Sequence, residues 1–376
     1  MTKILTVRSL LADNGPGTQS LTLAVHMRDR GYETVFVTGG GANVPNVIKA
    51  GFDLHHIPEL APDRHRPLAI ARAVTALAKI IGREKPDVIH GHNGAATLCA
   101  HVAGLLNGRR IPCVTSVRGV EERASHQWRN AIWKHVPGIL LGVCENTRSR
   151  LLGFGVPDHR IQVTYNGVNL ARFDPTQYDN YAERAKLGLA NRVVVGTVGA
   201  MVGPETLDGP TKGHHLLIMA ANRLRAEFPE IAVLLVGDGP WRQSLEELTA
   251  TLGMTDHVVF AGRRFDVPAM LSAMDVYALP SIFGEFFPNS IIEAMAMKCP
   301  WIGSDIAGLS ELTANGEAGW VSPPGDLDAL TNNLRKLLAD PMLRQRRGEV
   351  ARAEVEERFA INHVVDRVLQ AYERAK

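Results

Sequence analysis

The sequence predicts an α/β protein with two domains in series, each built on a parallel sheet with helices on both faces. Short apolar runs alternate with amphipathic helical stretches in both halves of the chain. Runs such as residues 139–143 are apolar throughout, which is typical of strands covered on both faces. The length of 376 residues also suits two domains, because one domain usually has about 100–200 residues.

In the first half, a helix that ends near Gly31 follows the first strand and the segment Asp-Asn-Gly-Pro-Gly at residues 13–17. The turn Asn166-Gly167 closes this half. The other predicted helices cover about residues 68–81, 95–106 and 126–135, and the predicted strands cover residues 4–7, 34–38, 87–90, 113–117 and 139–143.

The alternation pauses at residues 174–191, which are polar and irregular, and we interpret them as a linker. It then resumes and continues to the last two helices. In the second half the predicted strands are residues 193–198, 232–236, 258–260, 276–279, 301–303 and 319–321, and the predicted helices are residues 214–228, 243–252, 268–274, 290–297, 309–313 and 327–338. Ligands of parallel sheets bind beyond the carboxyl ends of the strands, so the default site is a cleft between two facing domains.

Composition excludes several classes of protein. Apolar residues make up 45% and charged residues 21%, so long disorder is not expected. The net charge of +2 gives no reason to expect a nucleic-acid partner. The four cysteines form no C-x-x-C pair, which argues against a zinc site or a disulfide framework and fits the reducing cytoplasm. The sequence shows no signal peptide and no apolar run of about 18 residues, so we expect any membrane contact to be peripheral.

The segment of residues 280–297 holds the strongest candidate for a ligand site. Glu285 lies in a loop after a predicted strand, and Glu293 lies just over one turn inside the next helix. The free N–H groups and the dipole at the start of that helix favour an anion such as a diphosphate. Asn289 occupies the expected cap position. From spacing alone, two solvent-exposed glutamates remain an equal alternative.

Together with five other motifs in a fixed order, this segment resembles the E-x7-E signature of glycosyltransferase family 4. That family of group 1, retaining glycosyltransferases has the GT-B fold, with two Rossmann-like domains facing a cleft. The resemblance covers nearly the whole chain. The other motifs are Lys-Pro-Asp-Val-Ile-His-Gly-His at 85–92, Tyr-Asn-Gly-Val-Asn at 165–169 with Phe173, Val-Gly-Asp-Gly-Pro at 236–240, Gly-Leu-Ser-Glu at 308–311 and Gly-Trp-Val-Ser-Pro-Pro-Gly-Asp at 319–326.

The resemblance implies an acceptor domain at residues 1–170 and a nucleotide-sugar domain at residues 171–359. A final helix at about residues 360–376 would pack back onto the first domain. The implied reaction moves a sugar from a nucleoside diphosphate to a hydroxyl acceptor, with retention at the anomeric carbon, in glycolipid, lipopolysaccharide or polysaccharide assembly. Two alternatives remain: a sugar-nucleotide epimerase of the same architecture and a catalytically impaired binding protein.

The resemblance also implies roles for particular residues. Glu293 would hold the ribose hydroxyls, Glu285 would contact the donor sugar, and Lys212 would pair with the donor diphosphate, whose charge grows as the glycosidic bond breaks. We take Lys212 and Glu285 as the catalytic candidates. Further donor contacts are expected at Gly15, Gly17, Phe286, Phe287, Asn289, Ser290 and Ile291.

Two departures from the family pattern concern charge. The family's arginine before Lys212 is absent, since the matching stretch reads Val-Gly-Ala-Met-Val-Gly at 198–203, and Arg263 or Arg264 could replace it. On the acceptor side, Arg118 stands where many members have histidine, and an arginine can bind a phosphate or an acidic acceptor. We expect His92 and Asn93 to contribute to acceptor binding beside Arg118.

No metal site or cofactor is expected, and the nucleotide sugar is a substrate. The one D-x-D, Asp326-Leu327-Asp328, opens a predicted helix, so a cap and a first-turn acid explain it. A basic and aromatic surface could bind the cytoplasmic face of a membrane that carries a lipid-linked acceptor. It would comprise Arg109, Arg110 and the basic segment of residues 118–134, with Trp128 and Trp133. A solvated helix with two half-buried tryptophans is the alternative.

Overall fold

The structure, a computed structural model, describes residues 1–12, 15–61, 67–120, 130–204 and 209–376. The chain divides into two compact units. Unit 1 comprises Met1–Gly167 and Ile361–Lys376, and unit 2 comprises Val168–Ala360. The sequence placed the change of domain after residue 170, and the structure places it after Gly167.

Within the described part of unit 1, seven parallel strands lie in the order β3-β2-β1-β4-β5-β6-β7. The strands are β1 (Lys3–Arg8), β2 (Glu33–Thr38), β3 (Asp53–His56), β4 (Val88–Gly91), β5 (Cys113–Val117), β6 (Ile139–Gly142) and β7 (Ile161–Val163). The helices between them are α1 (Gly15–Arg28), α2 (Val44–Lys49), α3 (Pro67–Glu84), α4 (Gly94–Leu106) and α5 (Glu145–Gly153).

The central strands of this sheet agree with those predicted from the sequence, but its two edge strands, β3 and β7, were not predicted. An edge strand pairs on one side only and need not be apolar, and β3 accordingly reads Asp-Leu-His-His. The first four residues of the helix predicted at residues 126–135 lie outside the described residues, as does Trp128 of the basic segment. The described remainder forms a 3-10 helix, Ala131–His135.

Within the described part of unit 2, six parallel strands lie in the order β10-β9-β8-β11-β12-β13. These strands are β8 (Val193–Val198), β9 (Ile231–Val236), β10 (Val258–Gly262), β11 (Val276–Leu279), β12 (Trp301–Ser304) and β13 (Gly319–Ser322). The helices are α6 (Asn180–Lys186), α7 (His214–Leu224), α8 (Arg242–Thr251), α9 (Val267–Ser272), α10 (Asn289–Ala296), α11 (Leu327–Ala339) and α12 (Pro341–Glu354).

Helix α6 corrects the expectation that residues 174–191 are irregular. Asp179 caps it by accepting hydrogen bonds from the N–H groups of Tyr181 and Ala182. Arg184 then pairs with Asp275 at 2.9 Å, which holds the helix against the start of β11. Local capping and one ion pair stabilise a helix with no buried residue, and an apolar pattern could not reveal it.

The last helix, α13 (Ile361–Ala375), follows a π-helical turn, Val355–Phe359, and belongs to unit 1. Its apolar face, including Val364, Val365 and Val368, packs into the core formed with β4, β5 and β6. Tyr372 is buried there, and its hydroxyl lies 2.7 Å from Nδ1 of His90. No helix in the described ranges is long and apolar enough to cross a bilayer.

Candidate functional site

In unit 2, the loops after β8 and β11 approach each other closely at the carboxyl edge of the sheet. Gly199 follows β8, and a Cβ atom there would lie 2.3 Å from Cδ of Lys212. The backbone N–H of Ile282, after β11, donates to the carbonyl of Thr211 at 2.8 Å. The missing side chain at residue 199 therefore makes room for Lys212 to cross the end of the sheet.

Lys212 and Glu285 form an ion pair at this edge. Lys212 Nζ lies 2.5 Å from Oε1 of Glu285, and the two side chains are 24% and 11% exposed. The buried Ser281 hydroxyl donates to the same carboxylate oxygen at 3.2 Å. The structure thus brings together the two candidates for catalysis, which are 73 residues apart in sequence.

Gly213 fixes the turn that carries Lys212 into helix α7. Its φ of +70° lies in the left-handed region, and a Cβ atom there would sit 1.9 Å from the carbonyl oxygen of Pro280. His214 begins the helix, and burial, followed by the neighbouring Lys212 charge, lowers the pKa of its imidazole to about 4. His214 is therefore neutral at neutral pH, and Lys212 supplies the positive charge of this loop.

Helix α10 begins one residue earlier than a cap at Asn289 implies. Pro288 is the N-cap residue, with extended backbone, and Asn289 is the first helical residue. The expected cap role of Asn289 is therefore wrong. The side chains of Phe287 and Ile291 are buried, and Phe287 packs edge-on against Phe359. Only their backbone groups remain available to a ligand at this helix start.

Glu293 is a partly buried carboxyl one turn into α10. Burial raises its pKa to about 7, and the charge of Arg172 opposes that shift. Near neutral pH this carboxyl is accordingly poised between its protonated and ionised forms. A carboxyl whose pKa is raised by burial, close in sequence to a helix start and an ion pair, is a candidate for a functional group.

Sequence reasoning missed Tyr277 and Arg172. Tyr277 lies in β11, fully buried, and its hydroxyl donates to the carbonyl of Val198 at 3.4 Å. Burial raises the pKa of the Tyr277 hydroxyl, which therefore stays protonated. Arg172 acts on Glu293 through its charge. Neither residue belongs to a recognisable motif. A tyrosine in an otherwise aliphatic strand is a weak indication of a functional residue.

Arg263 was proposed as a replacement for the absent family arginine. It is exposed after β10, and its guanidinium lies over the ring of Phe265 at 5.3 Å. The alternative, Arg264, pairs with Asp266 at 2.5 Å. Arg263 as a donor contact therefore stays a prediction, as do the roles expected for Ser290 and Asn289.

In unit 1, the two glycines expected in a loop belong to a helix. Gly15 is the first residue of α1 and Gly17 lies in its first turn, while Asp13 and Asn14 fall outside the described residues. The buried Gln19 on the same helix donates to the carbonyl of Gly167 at 2.8 Å. The start of α1 thus lies beside the segment of residues 165–167. Phosphate binding by Gly15 and Gly17 stays a prediction.

The residues expected at the acceptor divide into a cap and a cluster. Asn93 is the N-cap of α4, and its side chain accepts from the N–H of Ala96 at 2.8 Å. His92 is buried and its ring stacks on that of His90, with centroids 4.6 Å apart. Arg118 donates through Nη1 to Oδ1 of Asn166. Asn93 therefore caps α4, and acceptor binding by Asn93, His92 and Arg118 stays a prediction.

Among the described residues, no cluster of three or more His, Cys, Asp or Glu side chains that could hold a metal ion occurs. Asp326 caps α11 by accepting from the N–H of Ala329 at 2.9 Å. Asp328 lies in the first turn of the same helix and pairs with Arg223 at 2.5 Å. Capping thus accounts for the D-x-D as the sequence analysis interpreted it.

Comparison with solved structures identifies the class of fold. A glycosyltransferase from Rickettsia africae matches all of this chain and 98% of its own, with a TM-score of 0.85 and 21% identity. The Anabaena protein HepE, solved in complex with UDP, matches 99% of this chain and 100% of its own, with a TM-score of 0.83 and 21% identity. With two parallel-sheet α/β units, the protein has the GT-B fold.

Comparison of sequences identifies the family. The model described as Glycosyltransferase Family 4 matches residues 13–172, and that described as Glycosyl transferases group 1 matches residues 208–354. N-acetyl-alpha-D-glucosaminyl L-malate synthase of Bacillus anthracis is 24% identical over 95% of this chain and 93% of its own. UDP-Gal:alpha-D-GlcNAc-diphosphoundecaprenol alpha-1,3-galactosyltransferase of Escherichia coli is 26% identical over 72% and 71%. The chain belongs to the group 1 glycosyltransferases of family 4 and is a glycosyltransferase.

Replacing Gly213 with alanine should destabilise unit 2 far more than the same change at Gly188. Both glycines have φ near +70°, but nothing lies within 4 Å of a Cβ atom at Gly188. Gly188→Ala should cost about 1 kcal/mol of unfolding free energy from backbone strain. Gly213→Ala should cost at least about 2 kcal/mol more, because the Cβ atom meets a carbonyl oxygen. Urea unfolding of both variants measures the difference, and equal losses would contradict the role given to Gly213.

Glu293 should make stability fall as pH rises from about 4.5 to 7. In that window the folded protein keeps a proton that the unfolded chain, with an ordinary pKa of 4.5, releases. Glu293→Gln removes this contribution. The unfolding free energy of the variant, minus that of the wild type, should therefore increase by about 3 kcal/mol between pH 4.5 and 8. A difference that is constant across denaturant titrations at several pH values would show that Glu293 has an ordinary pKa.

Proposed function

We propose that this chain is a retaining, metal-independent glycosyltransferase that uses a nucleoside-diphosphate sugar and a hydroxyl acceptor. The observation that carries the proposal is the Lys212–Glu285 ion pair beside the start of α10, with Glu293 one turn further. A cation, a carboxylate and the N–H groups of a helix's first turn are the groups that a diphosphate and a sugar require. The names of the relatives support the donor class, since one includes UDP-Gal and HepE was solved with UDP.

Each residue has a distinct task in this proposal. The first-turn N–H groups of α10 bind diphosphate oxygens, and Glu293 accepts hydrogen bonds from the ribose hydroxyls. Lys212 stabilises the negative charge that develops on the leaving diphosphate, the task that a divalent cation performs in other enzymes. Glu285 orients the sugar hydroxyls, and its pairing with Lys212 holds both side chains in place before the donor binds.

Retention follows in this proposal from attack on the face that the diphosphate leaves. As the glycosidic bond breaks, its electron pair goes to the diphosphate oxygen, which can then take the proton of the acceptor hydroxyl. The acceptor oxygen forms the new bond to the anomeric carbon on that same face. No covalent sugar–enzyme bond is needed, so Glu285 acts in positioning and Lys212 in stabilising charge.

The acceptor class that we propose belongs to glycolipid, lipopolysaccharide or polysaccharide assembly at the cytoplasmic face of the membrane. The diphosphoundecaprenol in the name of the Escherichia coli relative supports a lipid-linked acceptor. On this chain, Leu105 and Leu106 at the end of α4 are 45% and 67% exposed, and Arg110 is exposed nearby. Exposed apolar side chains beside a cation suit an anionic bilayer surface.

Lys212→Ala should lower the rate of sugar transfer by about 100-fold or more, because one charge that stabilises the transition state is lost. Lys186→Ala is the matched control, since Lys186 also forms an ion pair in unit 2, with Glu183 at 2.6 Å. UDP, GDP and ADP sugars are tested as donors, with and without EDTA, and NMR reads the anomeric configuration of the product. Full activity of Lys212→Ala, or inversion, would refute the mechanism.

The same assay separates the two alternative functions. Turnover of a nucleotide sugar to its epimer without an acceptor identifies an epimerase. A protein that binds a nucleotide sugar but never transfers or hydrolyses it is an impaired glycosyltransferase, as the missing arginine near Ala200 could produce. If no nucleotide or nucleotide sugar raises the thermal stability of the protein, the proposed donor class is wrong.

Vesicle binding tests the membrane contact. Changing Leu105 and Leu106 together to serine should reduce co-sedimentation with phosphatidylglycerol vesicles several-fold, because both apolar side chains leave the bilayer surface. Met342→Ser, at a site 70% exposed in unit 2, is the control for loss of an exposed apolar side chain. Absence of wild-type binding to anionic vesicles at low salt would refute this contact.

A further inference from the structure

Three basic side chains follow neighbouring strands at one edge of the sheet in unit 1. Arg8 is the last residue of β1, His92 comes just after β4, and Arg118 comes just after β5. These strands are adjacent and parallel, in the order β1-β4-β5. Their carboxyl ends therefore meet, and the three side chains influence one another electrostatically.

The two arginines place like charges together under partial burial. Arg8 is 9% exposed, and burial lowers its pKa to about 10. The pKa of Arg118 is also lowered to about 10, by burial and then by the charge of Arg8. Both guanidinium groups still carry their charges at neutral pH. Like charges held close together in partly buried positions repel each other, and an anion between them would offset that repulsion.

Two polar atoms in this cluster lack hydrogen-bond partners among the described residues. They are Nδ1 of His92, which is 6% exposed, and Nε of Arg118. The described acceptor for Arg118 is the neutral amide of Asn166, through Nη1. Leaving a buried donor unpaired costs about 1–3 kcal/mol, and such groups in a folded protein require an explanation.

His92 is held as a neutral donor. Burial, then the nearby charges of His90, Arg8 and Arg118, keep the pKa of its ring well below the ordinary value. The ring stacks on His90, whose two nitrogens lie 2.7 Å from the Tyr372 hydroxyl and 2.9 Å from the Ser116 hydroxyl. His90 is thereby fixed in position, and His92 has one N–H to offer a ligand.

We propose that Arg8, His92 and Arg118 bind an anionic group, a phosphate or a carboxylate, carried by the acceptor. This inference rests on the proposed function, because it specifies the acceptor of that reaction. A guanidinium presents parallel N–H groups whose spacing matches two oxygens of a phosphate or carboxylate. An anion here supplies acceptors for the unpaired donors of Arg118 and His92 and neutralises the repulsion between the arginines.

Binding the charged end of the acceptor would position its hydroxyl for reaction. Such anchoring makes attack effectively intramolecular and gives selectivity, because an uncharged analogue would leave buried donors unpaired. The family resemblance alone did not specify this chemistry, since Arg118 stands at a position where many members have histidine. The cluster thus predicts an acceptor with an acidic group near its reacting hydroxyl.

Calorimetric titration of the full chain with inorganic phosphate and with malonate tests the proposal. At least one probe should bind saturably, and Arg118→Met should weaken that binding about tenfold or more. Arg72→Met, at an exposed arginine on α3, should not change it. Lys212→Ala removes only phosphate that binds at the anion site proposed in unit 2, so the part of the binding that depends on Arg118 should remain in that variant. Arg118→Lys, which keeps the charge but loses the fork, should fall between.

The outcomes distinguish this inference from the proposed function. The probe that binds more tightly identifies the anion as phosphate or carboxylate. On saturation, NMR should show the pKa of His92 rising toward the ordinary range, which a loss of folding would not produce. If neither probe binds, or if binding is the same in Arg118→Met, the inference is wrong even where UDP binds. If UDP fails to bind but phosphate binding depends on Arg118, only the donor proposal fails.

Discussion

The close approach of backbone segments at the carboxyl edge of the second sheet is the constraint on which the donor site depends. A Cβ atom at Gly199 would overlap the Lys212 side chain, and one at Gly213 would overlap the carbonyl of Pro280. At Gly237, after β9, a Cβ atom would lie 2.0 Å from the carbonyl of Gly199. Three loops meet with no room for side chains, and so Lys212 reaches Glu285 across the end of the sheet.

Electrostatics then decides what this edge can bind. Lys212 and Glu285 neutralise each other in a partly buried ion pair, while Glu293 has its pKa raised by burial. A carboxyl whose ionised form is disfavoured by burial lowers the stability of the folded protein at neutral pH. The sequence retains it at the start of α10, where hydroxyl groups of a ligand could hydrogen-bond to it. The local loss of stability is consistent with a group kept for binding rather than for folding.

The carboxyl edge of the first sheet differs from that of the second in its charge. Its carboxyl edge presents Arg8, Arg118 and the neutral His92, whereas the second sheet presents Lys212 paired with a glutamate. Asn93, beside His92, is occupied in capping α4. In our proposals, the first unit binds an anionic group of the acceptor, and the second binds a ligand that carries both phosphates and hydroxyls. This asymmetry gives the two otherwise similar sheets different ligand chemistry.

The sequence by itself determined the two parallel sheets, their central strands and the family, because buried strands must be apolar and the motifs keep a fixed order. It could not reveal β3, β7 or α6, since edge strands and capped surface helices need no apolar pattern. The sequence identified Lys212 and Glu285 as catalytic candidates. Only the tertiary structure showed that these two residues, 73 positions apart, form an ion pair. The structure also gave Asn93 and Pro288 the cap positions, and it placed Arg8 beside Arg118. Contacts between distant strand ends depend on sheet order, and sheet order is set by packing of the whole domain rather than by neighbours in sequence.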